Sequence, residues 1–436
     1  MLIEFSLSNF RSFRERQTIS MVAAPRLRKT ECLLKPDLDG ESFPNLLKVA
    51  AIYGPNASGK SGLMMGINVL QSMVNRPPQV GEQVLPAMPF RFDKNLSNEP
   101  SRFEVHFIAK KCRYQFNLAL TKERIIEERL VAYPSGEETL YYDRTYINGI
   151  DSYRFGPKLE GGETVHDAWK MLTAPQALFL TQAVANSNEE LNQLRIPMKW
   201  LQRDFSVLDD DEMDRWGQLV QTVGITSPKI GENVSKYLQE LDVPVTEIKF
   251  KNENDDDFKI EYDSGLTEKQ RKIVESVRRP KKTTLTHTTK LGAAEFDLSE
   301  ESKGTRNLIG FYMPWAMSDD HVVLVDEFDS SLHPEIVVAL VRKFLEKDGK
   351  GQLIFTTHDT HIMDSKLLRR DQIWLTERTN SGATRIRSVY DFAGRETEDV
   401  EKRYFEGYYR SLPKINGESS EVKKVKREKK VNLESN

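Results

Sequence analysis

The chain opens on alternation: Leu2, Ile3, Phe5 and Leu7 predict a strand entering at Met1. Lys48 to Tyr53 is a short apolar run ending in a glycine-rich turn, the pattern of a buried strand feeding a helix near Lys60. Pro77-Pro78 closes that helical stretch. Between Phe103 and Leu120 two alternating stretches, EVHFI and YQFNLAL, are joined by Lys110-Lys111-Cys112-Arg113 and predict an antiparallel hairpin. Strand-like pieces continue to about Phe155.

The middle of the chain changes period. Ile230, Val234, Tyr237, Leu238 and Leu241 fall at helical spacing, with Ser227 as N-cap, Pro228 at the first helical position and Pro244 beyond the end. Leu191, Leu194, Met198 and Leu201 predict another helix. The acidic stretches Asp209-Asp210-Asp211-Glu212 and Asp255-Asp256-Asp257 read as solvated loops. From Leu291 strands and helices alternate again: Val322–Val325, Leu353–Thr356 and Ile373–Thr376 as buried strands, Ile336–Phe344 as a helix. That alternation argues for an α/β fold with a largely parallel core sheet, accompanied by an antiparallel β subdomain and a mainly helical insertion. The expected divisions are 1-160, 161-285, 286-415 and a basic tail, 416-436, that carries no aromatic residue.

Composition narrows the picture only by exclusion. Charged residues make up 30% of 436 and the net charge is -3, so nucleic acid, if bound, must find local patches such as Arg278-Arg279-Pro280-Lys281-Lys282. Cys32 and Cys112 have no second Cys or His at ligand spacing, which speaks against a disulfide framework or a zinc site. The acidic start MLIEFSLSNF is not a signal peptide, and no apolar run is long enough to span a membrane. A cytoplasmic location is expected.

The chemistry lies at the strand ends. Gly54-Pro55-Asn56-Ala57-Ser58-Gly59-Lys60-Ser61 has the Walker A pattern between an apolar strand and a helix. Glycines there let backbone N–H groups close around a β-phosphate, Lys60 can reach the β- and γ-phosphates, and Ser61 can ligate magnesium. Val322 to Glu327 has the Walker B pattern: the apolar run buries the strand and delivers Asp326 for magnesium and Glu327 as general base for the attacking water. Leu298 to Thr305 contains a Ser-x-Gly turn, Ser302 and Gly304, at a helix start. Asp329-Ser330-Ser331-Leu332-His333-Pro334 follows Walker B, and Thr356-Thr357-His358-Asp359 follows the next buried strand.

The order of these pieces resembles ABC and SMC-type ATPases. The resemblance implies that Ser302 and Gly304 form the signature loop that caps ATP held by a second copy, that DSSLHP is the D-loop, and that His358 is the switch histidine. Asn9-Phe10-Arg11-Ser12-Phe13 is similar to the NF-R-S-F segment of SMC-like heads, which implicates Arg11 and Ser12 in phosphate binding. The signature, LSEESKGT, lacks the second glycine of transporters, and no glutamine among Gln71, Gln79 and Gln83 stands out as that of the Q-loop.

The span from Ser61 to Leu298 is too long for a transporter core and too poor in heptads for a chromosome-organising coiled coil. ESKGTRNL, DEFDSSLHP, GQLIFTTHDTHIMD and RRDQIW are similar to compact anti-phage ATPases of the RloA or AbiL abortive-infection type, related to the OLD family. OLD proteins continue into a TOPRIM nuclease. With 78 residues after His358, such a domain is not expected here. The resemblance therefore implies a head-to-head homo-oligomer and a separately encoded nuclease-like effector, responding to a phage protein trigger. A RecF-like ATPase binding DNA directly and a slow-hydrolysing scaffold remain alternatives.

Overall fold

The computed structural model describes residues 1–76, 84–253, 267–268 and 279–413. Its centre is a six-stranded sheet. In spatial order the strands are Phe205–Leu208, Val322–Val325, Gln352–Thr356, Val49–Tyr53, Ile373–Arg378 and Thr384–Ser388. The first five run parallel and the last pairs antiparallel with its neighbour. Strand periodicity divides the apolar residues between two cores. Ala50, Ile52, Val322, Leu324 and Ile354 face the helix Lys60–Asn75, which contributes Leu63, Met64, Ile67 and Leu70. Val49, Ala51, Tyr53, Val323, Val325, Leu353 and Phe355 belong to the opposite core, with Leu308 and Phe311 of the helix Lys303–Met317 and Leu340 and Phe344 of the helix Pro334–Glu346. A sheet covered on both faces needs continuous apolar strands, which is why these read as unbroken runs.

The first core is closed by a seven-stranded, wholly antiparallel sheet, in the order Ile150–Phe155, Thr139–Ile147, Ile125–Tyr133, Cys112–Leu120, Ser101–Ala109, Leu2–Ser8 and Gln17–Ser20. The predicted hairpin is present, but its turn is two residues rather than four. Lys110 and Lys111 both have positive φ (46° and 63°), as a two-residue I′ turn requires, so Cys112 and Arg113 continue the ladder. One buried side chain joins the two sheets: Gln352, on the parallel sheet, accepts from Leu2 N (2.6 Å) and donates to Leu2 O (3.0 Å) and Leu47 O (3.1 Å).

Between residues 162 and 239 lie five helices, Gly162–Leu172, Phe179–Ala185, Arg195–Arg203, Asp210–Thr226 and Pro228–Gln239. The Ser227-Pro228 start holds, although the Ser227 side chain makes no cap bond. The helix predicted from Leu191 begins later, at Arg195. The stretch Asp209 to Glu212 is not a loop. Asp209 is an N-cap whose side chain accepts from Glu212 N, and the acidic residues sit in the first turn, where the helix dipole favours negative charge. This region also supplies strands: Phe205–Leu208 edges the parallel sheet, and Val245–Asn252 joins Lys281–Thr289 and Gly292–Asp297 in a three-stranded antiparallel sheet. Pro77, Pro78, Gln79, Gln83, the acidic stretch from Asp255, Arg278 and the tail 416–436 lie outside the described residues.

Candidate nucleotide site

The loop Gly54 to Gly59 leaves the central strand and enters the helix at Lys60, and its backbone is bent three times into the left-handed region: Gly54 (φ 152°), Ala57 (φ 59°) and Gly59 (φ 108°). Both glycines are also demanded by close approach. A Cβ on Gly54 would lie 2.1 Å from Thr376 Oγ1, and one on Gly59 2.2 Å from Thr384 Oγ1. Pro55 is half-buried and Asn56, Ala57 and Ser61 are exposed, whereas Ser58 and Lys60 are buried. The helix presents unpaired first-turn N–H groups at this end, an arrangement suited to phosphate.

Lys60 Nζ lies 2.9 Å from Gly54 O, 3.5 Å from Pro55 O and 3.0 Å from His358 Nε2. Burial lowers the Lys60 pKa, opposed by the carboxylates of Asp326, Glu327 and Asp329. Burial also lowers the His358 pKa, reinforced by the Lys60 charge and opposed by Asp329 and Glu327. An ammonium can only donate, so Nε2 accepts and the neutral imidazole carries its proton on Nδ1. The loops after three adjacent parallel strands therefore meet at their carboxyl ends, where open α/β sheets place ligands.

Thr356, at the end of the strand between Walker A and Walker B, orders the carboxylates. Its hydroxyl donates to Asp326 Oδ1 (2.6 Å) and accepts from Glu327 N (2.7 Å). Glu327 sits at φ 53° with its side chain exposed, turned off the end of the buried strand. Asp329 accepts from His358 N at 3.2 and 3.4 Å, fixing the histidine loop against the D-loop. The sequence reading named Asp326, Glu327 and His358 but overlooked Thr356, although it stands first in the quoted TTHD. A threonine capping a strand carries no signal of its own until its neighbours are known.

Ser12 and Arg11 reach this site by different routes. Ser12 O accepts from Thr384 N (2.7 Å), and Ser12 Oγ lies 2.7 Å from Thr384 Oγ1, whose other partner is Ser58 O (2.8 Å). Ser12 is thus one side chain removed from the loop. Arg11 is exposed, has φ 51°, and directs Nη1 to Met65 Sδ on the helix that starts at Lys60. Ser302 caps the helix Lys303–Met317, accepting from Thr305 N (3.1 Å), and is exposed. A Cβ on Gly304 would lie 2.4 Å from Ser331 O, and Asn307 Nδ2 donates to Ser330 O (3.2 Å). Gly304 is therefore fixed by its own D-loop, and signature turn and D-loop form one unit. Gln71 is spent elsewhere: its amide donates to Phe205 O (2.7 Å) at the far strand.

The residues fit a hard divalent cation held partly by phosphate. Ser61 offers an exposed hydroxyl, and with Oδ1 of Asp326 taken by Thr356, Oδ2 makes no hydrogen bond among the described residues. Hydroxyl and carboxylate oxygen suit magnesium, which takes one or two carboxylates plus phosphates rather than an all-protein cage. Among the described residues no group of three or more His, Cys, Asp or Glu side chains is placed to hold a metal, and no helix is long and apolar enough to cross a membrane.

A family profile described as "AAA domain, putative AbiEii toxin, Type IV TA system" matches residues 49–364, well over half of the chain, from the Walker A strand to just past the switch histidine. The chain belongs to this AAA family. Solved structures similar to this AAA chain include an SMC head domain from Thermotoga maritima, with 15% identity over 89% of this chain and 98% of that one and a TM-score of 0.41. An Smc head bound to the C-terminal winged-helix domain of ScpA has 13% identity over 89% and 97%, with a TM-score of 0.43. An Smc head with an extended coiled coil, bound to the ScpA C-terminal domain derived from Pyrococcus furiosus, has 11% identity over 89% and 96%, with a TM-score of 0.40. Comparison with curated proteins gave no match.

Proposed function

We propose that the AAA chain binds ATP with magnesium at Gly54 to Ser61 and hydrolyses it, and that two copies complete each other's sites. The observation that carries the reading is the meeting of Lys60 with His358, 3.0 Å apart, beside the Thr356–Asp326 pair at the ends of adjacent parallel strands. When phosphate arrives, Lys60 exchanges the Gly54 carbonyl for phosphate oxygens. His358, neutral and joined to the D-loop through Asp329, lies where it can sense the γ-phosphate. Magnesium, held by Ser61 and Asp326, would neutralise phosphate charge. Glu327, exposed at the strand end, would orient the attacking water and take its proton. Ser302 and Gly304, exposed or half-exposed at a helix start that is already capped, would offer the second copy's nucleotide a ready-made N-terminus.

The biological setting we infer is a bacterial anti-phage module. The family description names a toxin of a toxin–antitoxin system, which agrees with a sensor and motor subunit controlling a separately encoded, TOPRIM-like nuclease. Direct gripping of DNA has less support. Of the basic cluster, Lys282 pairs with Asp297 (3.3 Å), and Lys281 is half-buried with Nζ on Arg279 O (3.3 Å), leaving little free charge for phosphate.

The test is a Glu327→Gln chain followed by light scattering. Isosteric replacement of the base keeps ATP and metal and lowers turnover by about 10²–10⁴-fold, so the variant should accumulate as an ATP-dependent dimer or larger assembly, and not with ADP. Identical mass with and without demonstrably bound ATP would remove the composite site. Co-purification with the neighbouring gene's product tests the effector, and its absence in trapped and free states alike would remove that part.

A further inference from the structure

We propose that Thr384 is a positioning residue for nucleotide, setting the direction of the Gly59 N–H through a hydrogen bond to the carbonyl on the same peptide plane. The inference rests on the ATP-binding reading and names a residue outside every motif that led to it. Thr384 opens the antiparallel edge strand Thr384–Ser388 and is buried at 4% exposure. Its Oγ1 lies 2.8 Å from Ser58 O and 2.7 Å from Ser12 Oγ. It has one proton and two neighbours. A carbonyl can only accept, so the Thr384 proton goes to Ser58 O, and the Ser12 hydroxyl supplies its own proton to Thr384 Oγ1.

The consequence follows from peptide geometry. Ser58 C=O and Gly59 N–H belong to one planar, trans unit and point in opposite directions. Holding the carbonyl toward the edge strand turns the N–H away from it. Gly59 precedes the helix Lys60–Asn75, so its N–H is one of the donors that the helix leaves unpaired and that a phosphate can use. At φ 108° this peptide is in a region where glycine moves freely, so without the bond it could rotate. Steric contact supports the same role, because the space where a Gly59 Cβ would stand is filled by the Thr384 side chain. Thr376 does the neighbouring task for the Ser58 side chain, with Oγ atoms 2.5 Å apart, and leaves the peptide itself to Thr384.

Thr384→Val removes the hydroxyl at nearly constant volume. Losing one buried hydrogen bond that orients a phosphate donor should weaken Mg-ATP binding by roughly five- to tenfold. Contacts to phosphate are made in ground and transition states alike, so KM rises by that factor while kcat stays within about twofold. Thr384→Ser restores wild-type affinity. The experiment measures equilibrium binding of a fluorescent ATP analogue with magnesium, steady-state ATP turnover and nucleotide-free melting for wild type, Lys60→Ala, Thr384→Val and Thr384→Ser. Wild-type affinity in the Val variant overturns the assignment. So does an equal loss in kcat, or failure of Ser to rescue, since either marks a merely structural residue. Should Val not fold, Thr384→Cys, a weaker donor of similar size, must fall between Ser and wild type on one side and complete loss on the other; unchanged affinity there overturns it too. If wild type and Lys60→Ala both fail to bind, the ATP reading itself falls and takes the proposal with it.

Discussion

Thr356→Val isolates the hydroxyl that orders both Walker B carboxylates. Thr356 is fully buried, and valine keeps its shape, so packing changes little. Two hydrogen bonds vanish: the 2.6 Å bond to Asp326 Oδ1 and the 2.7 Å bond from Glu327 N. A hydrogen bond to a charged partner contributes about 1.5–3 kcal/mol and a neutral one about 0.5–1.5 kcal/mol. Asp326 is only half-buried and Glu327 is exposed, so water recovers part of this. A loss of about 2 kcal/mol is expected, read as a lower urea midpoint for the transition that opens the parallel sheet. The functional effect should exceed the stability effect. Glu327 holds a left-handed backbone that this bond helps to fix, and Asp326 loses the partner that aims its second oxygen. ATP turnover should therefore fall and require more magnesium for half-maximal rate, while Thr356→Ser behaves as wild type. A Val variant with the wild-type urea midpoint and magnesium dependence would refute the reasoning.

Three further outcomes are expected. Ser302→Arg should bind ATP at its own loop yet hydrolyse poorly, at a cost of about 1 kcal/mol for the lost cap; mixing it with Lys60→Ala should recover activity, and no recovery in chains shown to exchange would exclude a site shared between copies. Glu128, fully buried, accepts from Phe179 N, Leu180 N and the Tyr142 hydroxyl near Arg144; Glu128→Ala should lower stability by about 3–5 kcal/mol because it strands Arg144, and a melting temperature equal to wild type would contradict this. Glu104 is held at about 2 by its hydrogen bond to His106 and then by Arg16, against the upward push of burial. Its folded pKa lies below the unfolded one, so its stabilisation, at most roughly 3 kcal/mol, is complete above the unfolded value and fades as pH falls towards 2. The gap in urea midpoint between wild type and Glu104→Gln should accordingly be widest near neutral pH and close below about pH 4.5, and a gap independent of pH would count against the pair.

What could be read in advance was whatever repeats with a period or sits in a motif. Val322–Val325 and Gln352–Thr356 announced themselves because a sheet covered on both faces tolerates only apolar residues. Phe205–Leu208 did not: four residues between two helices are too few for any period, and only the neighbouring strand makes them a strand. The acidic start at Asp209 was misjudged because charge density resembles a loop until the helix behind it supplies a dipole. Lys60, Asp326 and His358 were legible in the candidate site because each occupies a fixed offset from a glycine loop or an apolar run. Thr356, Thr376 and Thr384 were not, since a hydroxyl becomes a brace only when a carbonyl 30 or 300 residues away is brought beside it. RRDQ also changed meaning. Arg369 and Asp371 pair within the core and clasp Ala24 and Lys29, so that stretch is a structural staple rather than part of the nucleotide site.

The strand order has a consequence for the timing of synthesis. The Walker A strand is made early, yet its two neighbours in the sheet, Gln352–Thr356 and Ile373–Arg378, emerge more than 300 residues later. A ribosome releasing residues in order therefore presents an unpaired apolar strand and an unbraced phosphate loop for most of elongation, a period of tens of seconds at about 5–20 residues per second. The same delay applies to Leu2, whose amide waits for Gln352. Nascent or prematurely ended chains cannot assemble the loop, so an ATP-dependent assembly drawn from them would contain only chains read nearly to completion. Competence and completeness of synthesis are thereby linked, and ATP, by binding the finished fold alone, would pull the last-made strands into place.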